Sequence, residues 1–201
     1  MELVTVVALL GLVLGFTFQG VVSMQRAAMG ADQRVVNIGE ARVLMATASK
    51  DLRTAVRLVA GTSPFEVADD TEVVFYANLD PVAGPKRVRI YLDGMTQLVE
   101  EVTPPDESSV PPEYTYTVGP TRIRFVGRYV ANEPGQPIFA YYDVDGNALT
   151  GTPLSEEDRL KVRQVQITLS VRKSTSLQVK PTTLVNRVRL PNVDYTAVME
   201  Q

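Results

Sequence analysis

The chain has 201 residues, with 20 Lys and Arg against 23 Asp and Glu, a net charge of −3, and no His, Cys or Trp. Near-balanced charge supplies no global field to draw in nucleic acid. The missing residue types exclude disulfides, thiol nucleophiles, serine-triad catalysis and the commonest zinc and iron ligand sets, leaving carboxylates, Lys and Tyr as the catalytic menu.

Residues 3–25 (LVTVVALLGLVLGFTFQGVVSMQ) carry no charge. As a helix they span about 34 Å, enough to cross the ~30 Å hydrocarbon core of a bilayer. Glu2 stands at the N-terminal edge of this run. A carboxylate there is costly in lipid unless something pairs with it, so Glu2 is the first candidate functional residue. A cleaved signal peptide is disfavoured, because nothing basic precedes the run and the run is too long. Gly11 and Gly15 match the small-xxx-small spacing of close helix packing in membranes, a pattern that also arises by chance. The first basic residue, Arg26, would by itself place the C-terminal side in the cytoplasm.

No Pro occurs before Pro64, so the helix is expected to run from Met1 to about Val59. Its second half is amphipathic: Leu44, Ala48, Leu52, Val56 and Val59 form one stripe, widened by Ile38, Ala41 and Met45. Gly61 and Pro64 supply the stop. Beyond them the period changes to two. Strands are expected at Thr71–Leu79, Lys86–Leu92, Gln97–Val102, Arg122–Val130, Ile138–Tyr142, Val162–Arg172 and Thr182–Leu190. In Val162–Arg172, Val165, Ile167, Leu169 and Val171 share one face. Asp93-Gly94 marks a hairpin. The Pro/Ser-rich segment Val102–Pro112 reads as an exposed, mobile loop. Ser155–Lys161 reads as a short helical turn capped by Ser155 and Asp158. Sequential antiparallel pairing is the default strand order. The expected fold is α+β, a long N-terminal helix packed on an antiparallel β-sheet head. It divides into residues 1–25 (membrane or filament-core half), 26–60 (amphipathic half) and 61–201 (β-rich head).

Asp143, Asp145 and Asn147 place oxygen donors at alternate positions, as a calcium loop does. The pattern departs from an EF-hand, since no Gly follows the third donor and the twelfth position is Leu154. An Asp-Gly turn is the favoured reading and calcium the lesser one; no other cofactor is expected. Arg87, Arg89, Arg122, Arg124, Arg128, Arg172, Arg187 and Arg189 lie on or beside expected strands. They would make a DNA-binding patch only if their faces coincide. The favoured reading is solvation, with some pairing to Glu72, Glu100 or Glu101, so DNA is not an expected partner. No acid–base pair is identifiable among the scattered carboxylates, and no catalysis is expected.

The layout, with Glu2 opening the helix, resembles the type IV pilin and pseudopilin family. Met1-Glu-Leu-Val-Thr-Val-Val-Ala-Leu-Leu-Gly-Leu-Val-Leu-Gly15 is similar to that family's N-terminal stretch, F-T-L-x-E-L-x-x-V-x-A-L-x-G-x-L, from its fourth residue on. Ile138–Asn147 (IFAYYDVDGN) and Val162–Leu169 (VRQVQITL) resemble minor pilins and the pseudopilin J type. The resemblance implies a basic leader, cut by a prepilin peptidase, and three mature residues ahead of Met1, the first of them N-methylated. It implies that Glu2 neutralises the α-amino group of a neighbouring subunit and that Gly11 and Gly15 pack in a filament core. It also implies an inner-membrane anchor with the C-terminal side outside, and partners among other pilin subunits and the assembly platform. The alternative is a single-pass anchored extracytoplasmic β-domain that binds a ligand and never polymerises. An anchored hydrolase is a third reading.

Overall fold

The computed structural model describes residues 2–80, 84–94, 96–111, 113–173 and 180–193. One helix, α1 (Glu2–Arg53), precedes β1 (Phe65–Ala68), β2 (Glu72–Ala77), β3 (Lys86–Asp93), β4 (Gln97–Thr103), β5 (Arg122–Arg128), β6 (Phe139–Tyr142) and β7 (Ala148–Leu149). A short helix α2 (Glu156–Lys161) and the strands β8 (Gln164–Val171) and β9 (Thr182–Arg189) follow. This is the expected α+β fold, but the head holds two antiparallel sheets rather than one. The first runs β1-β2-β3-β4-β5 and the second β7-β6-β8-β9.

α1 stops six residues short of its expected end, so Val56 and Val59 do not extend its apolar stripe. Sheet pairing wins over the helical pattern. Thr54 Oγ1 bonds back to the Asp51 carbonyl (2.7 Å). Val56 N–H then donates to the Tyr76 carbonyl (2.8 Å), Asn78 N–H donates to the Thr54 carbonyl (3.0 Å), and Ala55 bridges Ala77. Gly61 lies in a later turn with φ of 81°. The rest of the stripe behaves as patterned: Ala41, Leu44, Met45, Ala48 and Leu52 are buried.

The first sheet turns Val73, Phe75, Val88, Ile90, Leu98 and Val102 toward α1, and all are buried. Alternation explains the set, because cross-strand partners share a face. Gly94, with φ of 55°, closes the β3–β4 hairpin at the expected Asp-Gly pair. On the second sheet Val165, Ile167, Leu169 and Val171 are fully buried, as their alternation requires. β1 and β7, four and two residues long, are too short to show a period and are additions to the sequence reading. Phe65 of β1 packs its ring against Phe75 and edge-on to Tyr141.

The sheets are stitched together by backbone. Val130 bridges Val171, and Ala131 N–H donates to the Ser170 carbonyl (2.7 Å). Asn132 imitates a strand residue: its Nδ2 donates to the Thr168 carbonyl (2.9 Å) and its Oδ1 accepts from Ser170 N–H (2.9 Å). Tyr141 Oη reaches the Asp69 carbonyl (2.9 Å). α1 fits between the sheets, with Asn186 Nδ2 donating to Ser49 Oγ (2.8 Å) from β9.

The Pro/Ser-rich loop is exposed over much of its length, as expected, and is organised around one carboxylate. Asp106 accepts from Thr115 Oγ1 (2.7 Å), Thr117 N–H (3.0 Å), Thr117 Oγ1 (2.9 Å) and Val118 N–H (3.1 Å). These donors, Thr115 Oγ1 first, hold its pKa down at about 2. Tyr116 then docks on Tyr76, with 5.3 Å between ring centroids, and donates to the Pro85 carbonyl (2.8 Å).

Candidate functional site

The first half of α1 is apolar, and none of it is buried among the described residues. From Leu3 to Met24 its large apolar side chains, half-buried Val22 apart, keep 47–79% of their surface exposed. Nothing lies within 4 Å of where a Cβ would stand on Gly11 or Gly15. Soluble proteins rarely leave so large a contiguous apolar surface uncovered, which marks it as an interaction surface. Among the described residues α1 alone is long and apolar enough to cross a membrane, and it suggests a single-pass anchor. Glu2 opens this helix, in an acidic first turn that suits the partial positive charge of a helix start. Thr5 Oγ1 donates to the Glu2 carbonyl (3.1 Å), a contact local to the first turn. Glu2 is exposed, so another molecule can meet it.

At the other end of α1 lies a second polar feature, which motif reading does not single out. Glu100 is fully buried and Asp51, in the last turn of α1, is 4% exposed. Arg124 of β5 grips Glu100 with two nitrogens, Nε to Oε1 (2.9 Å) and Nη2 to Oε2 (2.6 Å), and Arg122 Nη2 adds a third bond to Oε1 (3.0 Å). From the arginines Asp51 Oδ2 receives a 3.4 Å contact, from Arg124 Nη2. Burial raises the Glu100 carboxyl, but the bonds from Arg124 and Asp51 and the charges of Arg124 and Arg122 together outweigh it and hold Glu100 below its usual range. Asp51 goes the other way: burial first, then the hydrogen bond and like charge of Glu100, push it up to about 7. The sequence signal for this site is register. Leu98, Glu100 and Val102 are the inward set of β4, and a carboxylate in that set must find partners.

Asp143, Asp145 and Asn147 do come together, as a turn. Asp143 Oδ1 accepts from Asp145 N–H (2.9 Å) and Asn147 N–H (2.8 Å), and its Oδ2 accepts from Asn147 Nδ2 (3.0 Å). Gly146 takes φ of 88°. Both oxygens of Asp143 are thus engaged by the turn itself, and these donors, Asn147 first, lower its pKa. No group of three or more acidic residues that could hold a metal ion occurs among the described residues.

The arginines do not form one patch. Arg87 pairs with Glu66 (2.5 Å), and Arg89 pairs with Glu72 (2.8 Å) and Glu101 (3.4 Å), on the outer face of the first sheet. Arg122 and Arg124 point to the opposite face, toward Glu100. Arg187 lies flat over Tyr142, 3.7 Å from the ring centroid, on the second sheet. Pairing with Glu72, Glu100 and Glu101 is the expected one.

Comparisons with protein-family models, with curated proteins and with solved structures found no match for this chain.

Proposed function

We propose that this protein is a minor pilin or pseudopilin subunit, a non-catalytic structural component in the assembly, priming or tip of a type IV pilus or secretion-like filament. The observation that carries the reading is the bare apolar half of α1 opening on Glu2 and running unbroken into a half that is packed in a β-rich head. In a bilayer that half is an anchor. In a filament it is a core element, and Glu2 then meets the α-amino group of a neighbour. Desolvated together, the two charges attract strongly, and either one alone is penalised. Gly11 and Gly15 would let neighbouring backbones approach. The location that follows is the inner membrane, then an extracellular or periplasmic filament, with the assembly platform and prepilin peptidase as further partners. Calcium and DNA have no part in the reading.

The test is mass spectrometry of the mature N-terminus in native membranes. The expected result is a processed chain whose N-methylated first residue lies three positions before Met1. An unprocessed start at Met1 overturns the proposal and leaves the anchored, non-polymerising β-domain.

A further inference from the structure

Two carboxyl groups meet at the joint between α1 and the first sheet, and the joint offers full charge compensation to only one of them. Glu100 takes the Nε–Nη2 edge of Arg124 and one nitrogen of Arg122. Asp51 is left with a long contact to a guanidinium that is already engaged. The charged groups facing Asp51 are Glu100 from β4 and Arg122 and Arg124 from β5. Lys50, its neighbour on α1, lines the same cavity but has no ion-pair partner among the described residues. Arg122 and Arg124 both direct their short bonds to Glu100, so ionising Asp51 as well would bury a second like charge with one long contact to compensate it, and one proton is retained between the two carboxyl groups.

We propose that this proton is a latch: with it, the last turns of α1 are closed on β4 and β5, and without it they open locally and let water reach Asp51. The path for water exists. A cavity of about 240 Å³ adjoins Asp51, walled by Thr47, Lys50 and Thr54 of the helix end, by Asn78 and Leu79 after β2, and by the two arginines. The latch belongs to the joint that sets how the head is carried on its helix. It does not depend on filament membership.

The sign follows from linkage. The closed joint keeps the proton up to about pH 7, while an opened, hydrated Asp51 loses it near its ordinary value of 3.8. Closure is therefore strongest in acid, weakens as pH rises between those two values, and levels off above the higher one.

The experiment is amide hydrogen exchange on the full chain in detergent micelles, at pH 5 and pH 8, corrected for intrinsic exchange rates. Residues 44–56 report the joint and residues 164–171 serve as the internal control. The expected result is at least about tenfold less protection of 44–56 at pH 8, since each unit of linked pKa difference is worth a factor of ten. The control segment keeps its protection, and Asp51→Asn makes 44–56 equally protected at both values. Unchanged wild-type protection overturns the proposal, as does the same pH dependence in Asp51→Asn. Should that variant fail to fold, the carboxyl carbon of Asp51 in the wild-type chain decides by NMR titration. A midpoint well above the carboxylate range supports the latch, and one near 4 overturns it.

Discussion

Leu44 occupies the space that a side chain at Gly127 would need. A Cβ built on Gly127 would stand 1.9 Å from Leu44 Cδ2 and 2.4 Å from Cδ1 and Cγ. Gly127 sits opposite Leu98 in the β4–β5 ladder, on the face turned to α1. The helix lies this close to β5 because one residue of the strand has no side chain.

Gly127→Ala should therefore destabilise the head by overpacking, by about 1–3 kcal/mol. In a head of this size that is ~2–4 °C of Tm for each kcal/mol. Leu44→Ala, which removes the obstructing atoms, should be costly alone and less than additive with Gly127→Ala. A thermal double-mutant cycle measures the coupling, and simple additivity would contradict the contact.

Glu2 is exposed, so Glu2→Ala should leave the Tm of the head unchanged. On the proposed function the same variant should be absent from purified filaments. Wild-type levels of incorporation would remove Glu2 from the assembly role.

None of the described residues from 2 to 36 is buried. Removal of residues 1–25 should yield a head that stays soluble without detergent and melts within a degree or so of the full chain. A large drop in Tm would mean that the apolar half supports the fold.

Asp106 organises its loop as an ionised acceptor. Its pKa is depressed, so its contribution is complete above the ordinary value of 3.8 and is lost as pH falls through about 2. Asp106→Ala should open residues 104–118 to limited proteolysis at neutral pH. Cleavage at the wild-type rate would show that the loop holds without it.

At the Asp143 turn the carboxylate is already satisfied by N–H donors from within the turn. Millimolar calcium should therefore leave the Tm unchanged. A saturable upward shift, lost in Asp143→Asn, would restore the metal reading.

What the chain alone determines is the set of elements whose chemistry is local or periodic. An uncharged run of this length has few options in water. Alternation in Val165–Val171 forces one face inward, Asp93-Gly94 makes a hairpin, and Ser155 caps α2 by accepting from Asp158 N–H. The membrane half of α1, with Glu2, Gly11 and Gly15, is legible for the same reason: it has no tertiary partner in this chain to override its pattern.

Everything that depends on which surfaces meet was decided in three dimensions. The helix ends at Arg53 because β2 offers backbone partners to Thr54 and Val56, which local propensity does not record. The loop around Asp106 is ordered because Thr115, Thr117 and Val118 return to it from up to twelve residues away. The head splits into two sheets because the chain leaves β5 at Tyr129 and rejoins the sheet structure at β8. Asp51 and Glu100 are ordinary carboxylates in the sequence, forty-nine positions apart. Only packing α1 on β4 and β5 takes both out of water, gives Arg124 to one, and pushes the carboxyl of the other upward.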